Sequence, residues 1–206
     1  MIHPDTELRY INDSIGYGVF ARKLIPKGTI TWIPDPLQKI LKPEEVDSLP
    51  RVFQEVIYKY AYRNKDGQYV IEYDLGRFIN HSSKSNCLTT AYDFELAIRD
   101  ILPGEELTDD YGTLNIDAPF ECLPEPGTSR TLILPDDILR YHEEWDAYLE
   151  DAFNQLMHVE QPLIQYLSDE LRETALAVAK GEIPMESILA CYYDQNNETR
   201  PGQPRM

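Results

Sequence analysis

The sequence predicts a mostly β domain with helices, an α+β fold of small sheets, followed by C-terminal helices. Three observations lead there. From residue 8 to about 112, short β-branched and aromatic runs are broken by glycine and proline turns. Within that region, residues 43–62 switch to apolar residues at helical spacing. After Pro135 the pattern becomes helical and stays so.

Taken in order, Gly16-Tyr17-Gly18 leads into an apolar strand, Val19-Phe20-Ala21. Pro26-Lys27-Gly28 turns the chain into the β-branched and aromatic strand Thr29–Ile33, and Pro34 and Pro36 end the sheet pattern. Pro43-Glu44-Glu45 reads as a helix start, with proline in the first turn and acids at the positive helix end. Val52, Val56 and Tyr60, with Phe53 and Ile57 nearby, recur at helical spacing, so a helical insert is expected at about 37–64. Asp66-Gly67 is a hairpin signal before the strand Tyr69–Tyr73. Another strand, Phe94–Ile98, precedes the turn Pro103-Gly104. Beyond Pro135, Ile138, Tyr141, Trp145, Tyr148, Ala152 and Leu156 trace one apolar stripe. Pro162 opens a second helix carrying Leu163, Leu167, Leu171 and Val178, closed by Gly181; Pro184 opens a short third one through Cys191. The polar segment from Asn196 to Met206 is expected to fray. The pattern divides the chain into a first domain at 1–123 and a helical extension at 124–206.

The composition narrows the function. With 36 acidic and 19 basic residues the net charge is −17, which disfavours direct contact with nucleic acid and suits a basic partner. No apolar run approaches the ~20 residues that cross a bilayer, and the N-terminus lacks the pattern of a secretory signal. An intracellular location is expected, cytoplasmic or, in a eukaryote, nuclear. The three cysteines, Cys87, Cys122 and Cys191, form no CxxC pair and read as free thiols.

Three segments carry chemistry. The first is Gly16-Tyr17-Gly18 with Ile25-Pro26-Lys27-Gly28. The second is Arg77-Phe78-Ile79-Asn80-His81-Ser82, running on to Asn86-Cys87. The third begins with the strand containing Glu95 and ends at Glu105-Glu106-Leu107-Thr108-Asp109-Asp110-Tyr111-Gly112. Singly, each has a plain reading: a turn, a buried hydrogen-bonded pair, a packed aromatic at a strand end. Together, in this order, they resemble the SET-domain protein-lysine methyltransferases, whose pattern is a GxG entry, an RFxNHSxxxNC stretch and an EELTxDYG ending. The resemblance covers residues 8–123.

The resemblance implies a β-clip-like set of small sheets. It also implies a pseudoknot, in which the segment near 105–112 threads a loop formed by an earlier one and brings Asn80, His81 and Tyr111 together. It implies methyl transfer from S-adenosylmethionine to a lysine of a basic protein or peptide. Gly16, Tyr17, Gly18, Asn80, His81 and Tyr111 would hold the cofactor. Glycines allow close backbone approach, and an asparagine amide offers donors and an acceptor to a zwitterionic group. Tyr111 would be the catalytic residue, aligning the reacting groups. No membrane partner is implied.

Four departures qualify this. Asp109 stands where many relatives carry an aromatic residue in the lysine channel, so the number of methyl groups added is open. A carboxylate there could meet the incoming ammonium, or point to solvent or cap a turn. The cysteine-rich zinc segment of many relatives is absent. Cys87, Cys122 and the distant Cys191 supply at most three of the four ligands of a structural zinc site, so no metal is expected. Ser83 and Ser85 replace the usual cysteine and proline. The stretch Glu72–Gly76 is short, with Tyr73 as a channel or core residue. The alternative function is a catalytically weak or inactive SET-like binding module, and a further one makes the acidic helices an assembly surface.

Overall fold

The structure, a computed structural model, describes residues 1–194; the tail from Asn196, expected to fray, lies outside the described residues. The strands are β1 (Thr6–Asn12), β2 (Gly16–Ala21), β3 (Ile30–Trp32) and β4 (Lys39–Leu41). Two helices follow, α1 (Pro43–Asp47) and α2 (Arg51–Tyr60), then β5 (Ala61–Arg63), β6 (Tyr69–Ile71) and β7 (Asn80–His81). Next come β8 (Cys87–Thr89), β9 (Glu95–Ala97), β10 (Glu106–Asp109), β11 (Phe120–Glu121) and β12 (Leu132–Ile133). The helices α3 (Asp137–Phe153) and α4 (Asp169–Ala179) follow. The result is the α+β architecture of small sheets and C-terminal helices that the sequence predicts.

The main sheet runs β1-β2-β10-β8-β9-β3, with β7 also paired to β10. β10 is antiparallel to β2 and parallel to β7 and β8. A three-stranded sheet, β4-β6-β5, holds the insert, and β11-β12 form a small ribbon. Among the described residues no helix is long and apolar enough to cross a membrane.

The helical insert consists of two helices. Pro50 lacks an N–H and cannot continue α1, so the chain breaks there and restarts as α2. Val52, Phe53 and Val56 are exposed, and only Ile57 of α2 is buried.

The C-terminal helices share a core with the strands. Trp145, Leu149, Ala152 and Phe153 of α3 pack with Ile30, Leu88, Phe94 and Leu96. Phe153 meets Tyr92 and Phe94 edge-on, with ring centroids 5.7 and 6.0 Å away. Tyr148, placed on the apolar stripe from spacing, is exposed; Leu149 takes the inner position. α4 begins later than Pro162 predicts, because Ser168 caps it by accepting from the Leu171 amide, and residues Ile164–Tyr166 form only a 3-10 turn. The expected third helix is likewise a 3-10 turn, Ile188–Cys191.

One side chain laces the extension to the strands. Gln161 donates to the Gly28 carbonyl at 2.7 Å and accepts from the Ile30 amide at 2.9 Å. Gly28 has φ +85°, and a Cβ there would lie 2.7 Å from the Ala152 carbonyl oxygen, so this junction demands glycine twice over. Truncating Phe153 to Ala should lower unfolding free energy by about 3–5 kcal/mol. Phe53→Ala, at an exposed position, should stay within about 0.5 kcal/mol of the parent in urea titrations.

Candidate active site

The site is assembled by β10. Its parallel register sets Thr108 beside Asn80 and Asp109 beside His81, joining segments separated by nearly thirty positions. On the other edge Glu106 and Leu107 face Phe20 and Val19 of β2, so the glycine strand lies against the same segment.

Around the glycine strand, the Asn80 amide donates to the Tyr17 carbonyl at 3.0 Å and to the Glu106 carboxylate at 2.7 Å. Gly18 is buried here; a Cβ would run into the Glu106 carboxylate and come 2.7 Å from the Ile11 side chain. Gly16, at φ +86°, has open space where a Cβ would project. The Tyr17 ring is half-exposed and meets Tyr10 and Phe78 edge-on. Acceptors, an amide and aromatic faces are thus gathered beside an open backbone.

His81 and Tyr111 form the next layer. The Tyr111 amide donates to His81 Nδ1 at 3.1 Å, and the Tyr111 hydroxyl donates to the Ile79 carbonyl at 2.6 Å. Phe120 packs edge-on against both rings, at 5.3 and 6.0 Å. Burial lowers the His81 pKa, in keeping with a neutral ring that accepts from the amide. Burial first, then the Asp109 and Glu106 carboxyls, push the Tyr111 phenol upward, which keeps it protonated.

Tyr111 also lines a cavity of about 730 Å³. Its walls carry Trp32, Tyr58, Tyr60, Tyr62, Tyr69 and Phe120, and its floor carries Glu72, Glu95 and Asp109. Strand register explains the acid floor. Glu95 stands opposite Trp32 on β3 and Thr89 on β8, and Cys87, two residues before Thr89, stands opposite Asp109. Alternation along the strands puts Glu95, Thr89 and Asp109 on one face. Asp109, 2% exposed, is buried in the cavity lining, not at a solvent-facing turn. Burial drives the Glu72 carboxyl up to about 8, helped by Glu95 and Asp74. Tyr73, expected in the channel or the core, is in neither: its ring is 59% exposed, because the strand ends at Ile71 and the chain turns toward the Asp74-capped 3-10 helix.

Sequence reasoning quoted Glu95 and Glu72 within motifs and gave them no role. The signal was there: a lone carboxylate in the apolar run Phe94-Glu95-Leu96-Ala97-Ile98. Arg130 had no such signal. It ion-pairs with Asp110 and, at 2.5 Å, with Asp137 at the start of α3, and stacks over the Tyr141 ring at 4.6 Å. Gly112 leaves the room, since a Cβ there would overlap the guanidinium. Glu125 clamps the same loop by accepting from the Ser82 hydroxyl at 2.7 Å and the Ser83 amide at 2.8 Å. Cys87, Cys122 and Cys191 are free, and among the described residues no group of three or more His, Cys, Asp or Glu is placed to hold a metal.

Residues 16–112 match the family model for the SET domain. Similar solved structures include the methyltransferase domain of human histone-lysine N-methyltransferase SETMAR. It is 24% identical over 54% of this chain and 45% of that chain, with a TM-score of 0.38. Another is a Plasmodium falciparum protein provisionally described as a histone methyltransferase, 19% identical over 53% of this chain and 95% of that chain, with a TM-score of 0.39. The chain thus spans less than half the length of the SETMAR domain. No curated relative matches it in sequence.

Asp110 and Asp137 are both buried, so removing their shared cation leaves two uncompensated carboxylates. Arg130→Leu should therefore lower unfolding free energy by about 3–5 kcal/mol, read from urea titration at pH 7.

Proposed function

We propose that this protein transfers a methyl group from S-adenosylmethionine to a lysine side chain of a basic protein or peptide. The observation that carries the reading is the position of Tyr111. It touches His81 on one side and lines the aromatic, acid-floored cavity on the other.

The residues beside β2 fit the cofactor's chemistry. The Tyr17 carbonyl, the Glu106 carboxylate and the Asn80 side-chain oxygen are acceptors suited to its ammonium group. The exposed Tyr17 ring and the open face of Gly16 suit its flat adenine and ribose portions. When bound, the cofactor supplies an electrophilic methyl on a sulfonium. Every other contribution comes from the chain. Tyr111 is held by hydrogen bonds at both its amide and its hydroxyl, so its ring and phenol oxygen are prepositioned. The aromatic walls offer electron-rich faces to a cation and shield the reacting amine from water. The net charge of −17 favours approach of a basic substrate. The alternative, a binding module that has lost catalysis, draws on Asp109 replacing the aromatic residue common in the family.

Isothermal calorimetry with S-adenosylmethionine or S-adenosylhomocysteine should show one site. Absence of heat at millimolar ligand would rule the reading out. Asn80→Ala should weaken that binding by about 10- to 100-fold, the worth of a hydrogen bond to a charged group. In methylation assays with labelled cofactor, Tyr111→Phe should keep the cofactor affinity and lose about 100-fold or more in turnover. Parent-like rates in that variant would remove Tyr111 from the reaction.

A further inference from the structure

A lysine ammonium has a pKa near ~10.4 and must lose a proton before its nitrogen can act as a nucleophile. The two groups nearest the cofactor side are badly placed to take it. The Tyr111 hydroxyl already donates to the Ile79 carbonyl, and burial keeps it a phenol. His81 lies outside the cavity lining, its Nδ1 occupied by the Tyr111 amide and its Nε2 3.3 Å from the Ser83 hydroxyl.

The cavity floor is placed differently. Asp109 sits two residues before Tyr111 and lines the same space. Glu95 lines it from the neighbouring strand and is 9% exposed, and no donor of another described residue reaches its Oε2. Strand register puts Glu95 and Asp109 on one face, both lining the cavity, and two neighbouring carboxyls share a hydrogen bond only with a proton between them.

We infer that Glu95 and Asp109 form a carboxyl–carboxylate pair that accepts the proton of the substrate ammonium. The inference rests on the lysine methyl transfer proposed above and assigns its proton route. One N–H bond of the ammonium breaks, and its electron pair stays on nitrogen. The proton forms an O–H bond on the ionised member of the pair, while the other member keeps the proton it holds. The pair passes from one negative charge to none and the lysine from one positive charge to none, so the cavity gains no net charge. The nitrogen lone pair is then available to the methyl group, and the proton leaves to water after the product departs.

The surroundings set the direction in which the pair titrates. Burial raises both carboxyls above the usual range. Asp110 and Glu72 add to the effect on Asp109, while Asp109 itself and Asp74 add to that on Glu95. Three contributions oppose: the Met1 amino group acts on Glu95, the Asp110 amide donates to Asp109 at 2.9 Å, and the Glu95 carboxyl acts to lower Asp109. Arg130 lies behind Asp110 and is held by Asp110 and Asp137. Tyr62 and Tyr111 face the cavity as phenols. A raised carboxyl holds its proton at neutral pH, so the accepting monoanion grows in as pH rises and is lost as pH falls.

Two measurements test the pair. The first uses the protein without cofactor, labelled with ¹³C at Asp and Glu carboxyls and titrated by NMR. In Glu72→Gln, which removes the other raised carboxyl of the cavity, a carboxyl still protonated at pH 7 should remain, and Glu95→Gln or Asp109→Asn should each shift the titration of the remaining partner. Full ionisation of every carboxyl of Glu72→Gln by pH 6 would overturn the pair. The second uses the best acceptor from an arrayed library of lysine peptides assayed with the parent protein and labelled S-adenosylmethionine. Parental kcat/KM should rise with pH, then level off below pH 9. In Glu95→Gln and Asp109→Asn it should be at least tenfold lower at pH 8 and climb about tenfold per pH unit toward the lysine's own pKa near ~10.4, with cofactor affinity by calorimetry unchanged. Variant profiles parallel to the parent would overturn the proton route and leave the methyl transfer standing. An array with no acceptor at all overturns the methyl transfer itself, and the route with it.

Discussion

β10 is the constraint on which the rest of the structure depends. It is four residues long, and its pairings tie it to β2 on one side and to β7 and β8 on the other. A strand held on both edges cannot slip by one residue without turning Asp109 out of the cavity and Leu107 out of its core. From that register follow the approach of Asn80 to Glu106, the contact of His81 with Tyr111, and the shared face of Asp109 and Glu95. Leu107, fully buried, packs with Val19, Ala97 and Ile101, so the same strand anchors one of the cores.

The C-terminal extension is part of the site's support. Arg130 stands between Asp110, which precedes Tyr111, and Asp137, which opens α3. A guanidinium satisfies two buried carboxylates at once through its planar fork. α3 is in turn seated by Phe153 and Trp145 against the strands, and Gln161 fastens the following loop to β3. The position of Tyr111 is therefore coupled to helix packing well beyond the SET segment.

The cavity combines features that oppose each other energetically. Burying Glu72, Glu95 and Asp109 together is costly for charged carboxylates, and protonation relieves that cost. The aromatic walls are themselves suited to a cation. Such a site is most stable with fewer negative charges or with a cation bound, which links its protonation to occupancy.

Much of this was legible in the sequence because it rests on local pattern. The β-rich first half, the GxG entry, Asn80-His81, the Glu106–Gly112 ending and the apolar face of α3 are all set by neighbours in the chain. Pattern misled where one residue overrode it: Ser168 moved the start of α4 past Pro162. The sequence by itself determined the match of residues 16–112 to the SET-domain model and the segments that meet at its site. Tertiary structure alone decided which carboxylates share the cavity and that Tyr73 faces outward. It alone paired Arg130 with Asp110 across twenty positions. The reason is physical: a side chain's burial and partners depend on strands and loops distant in sequence, and no local spacing encodes those distances.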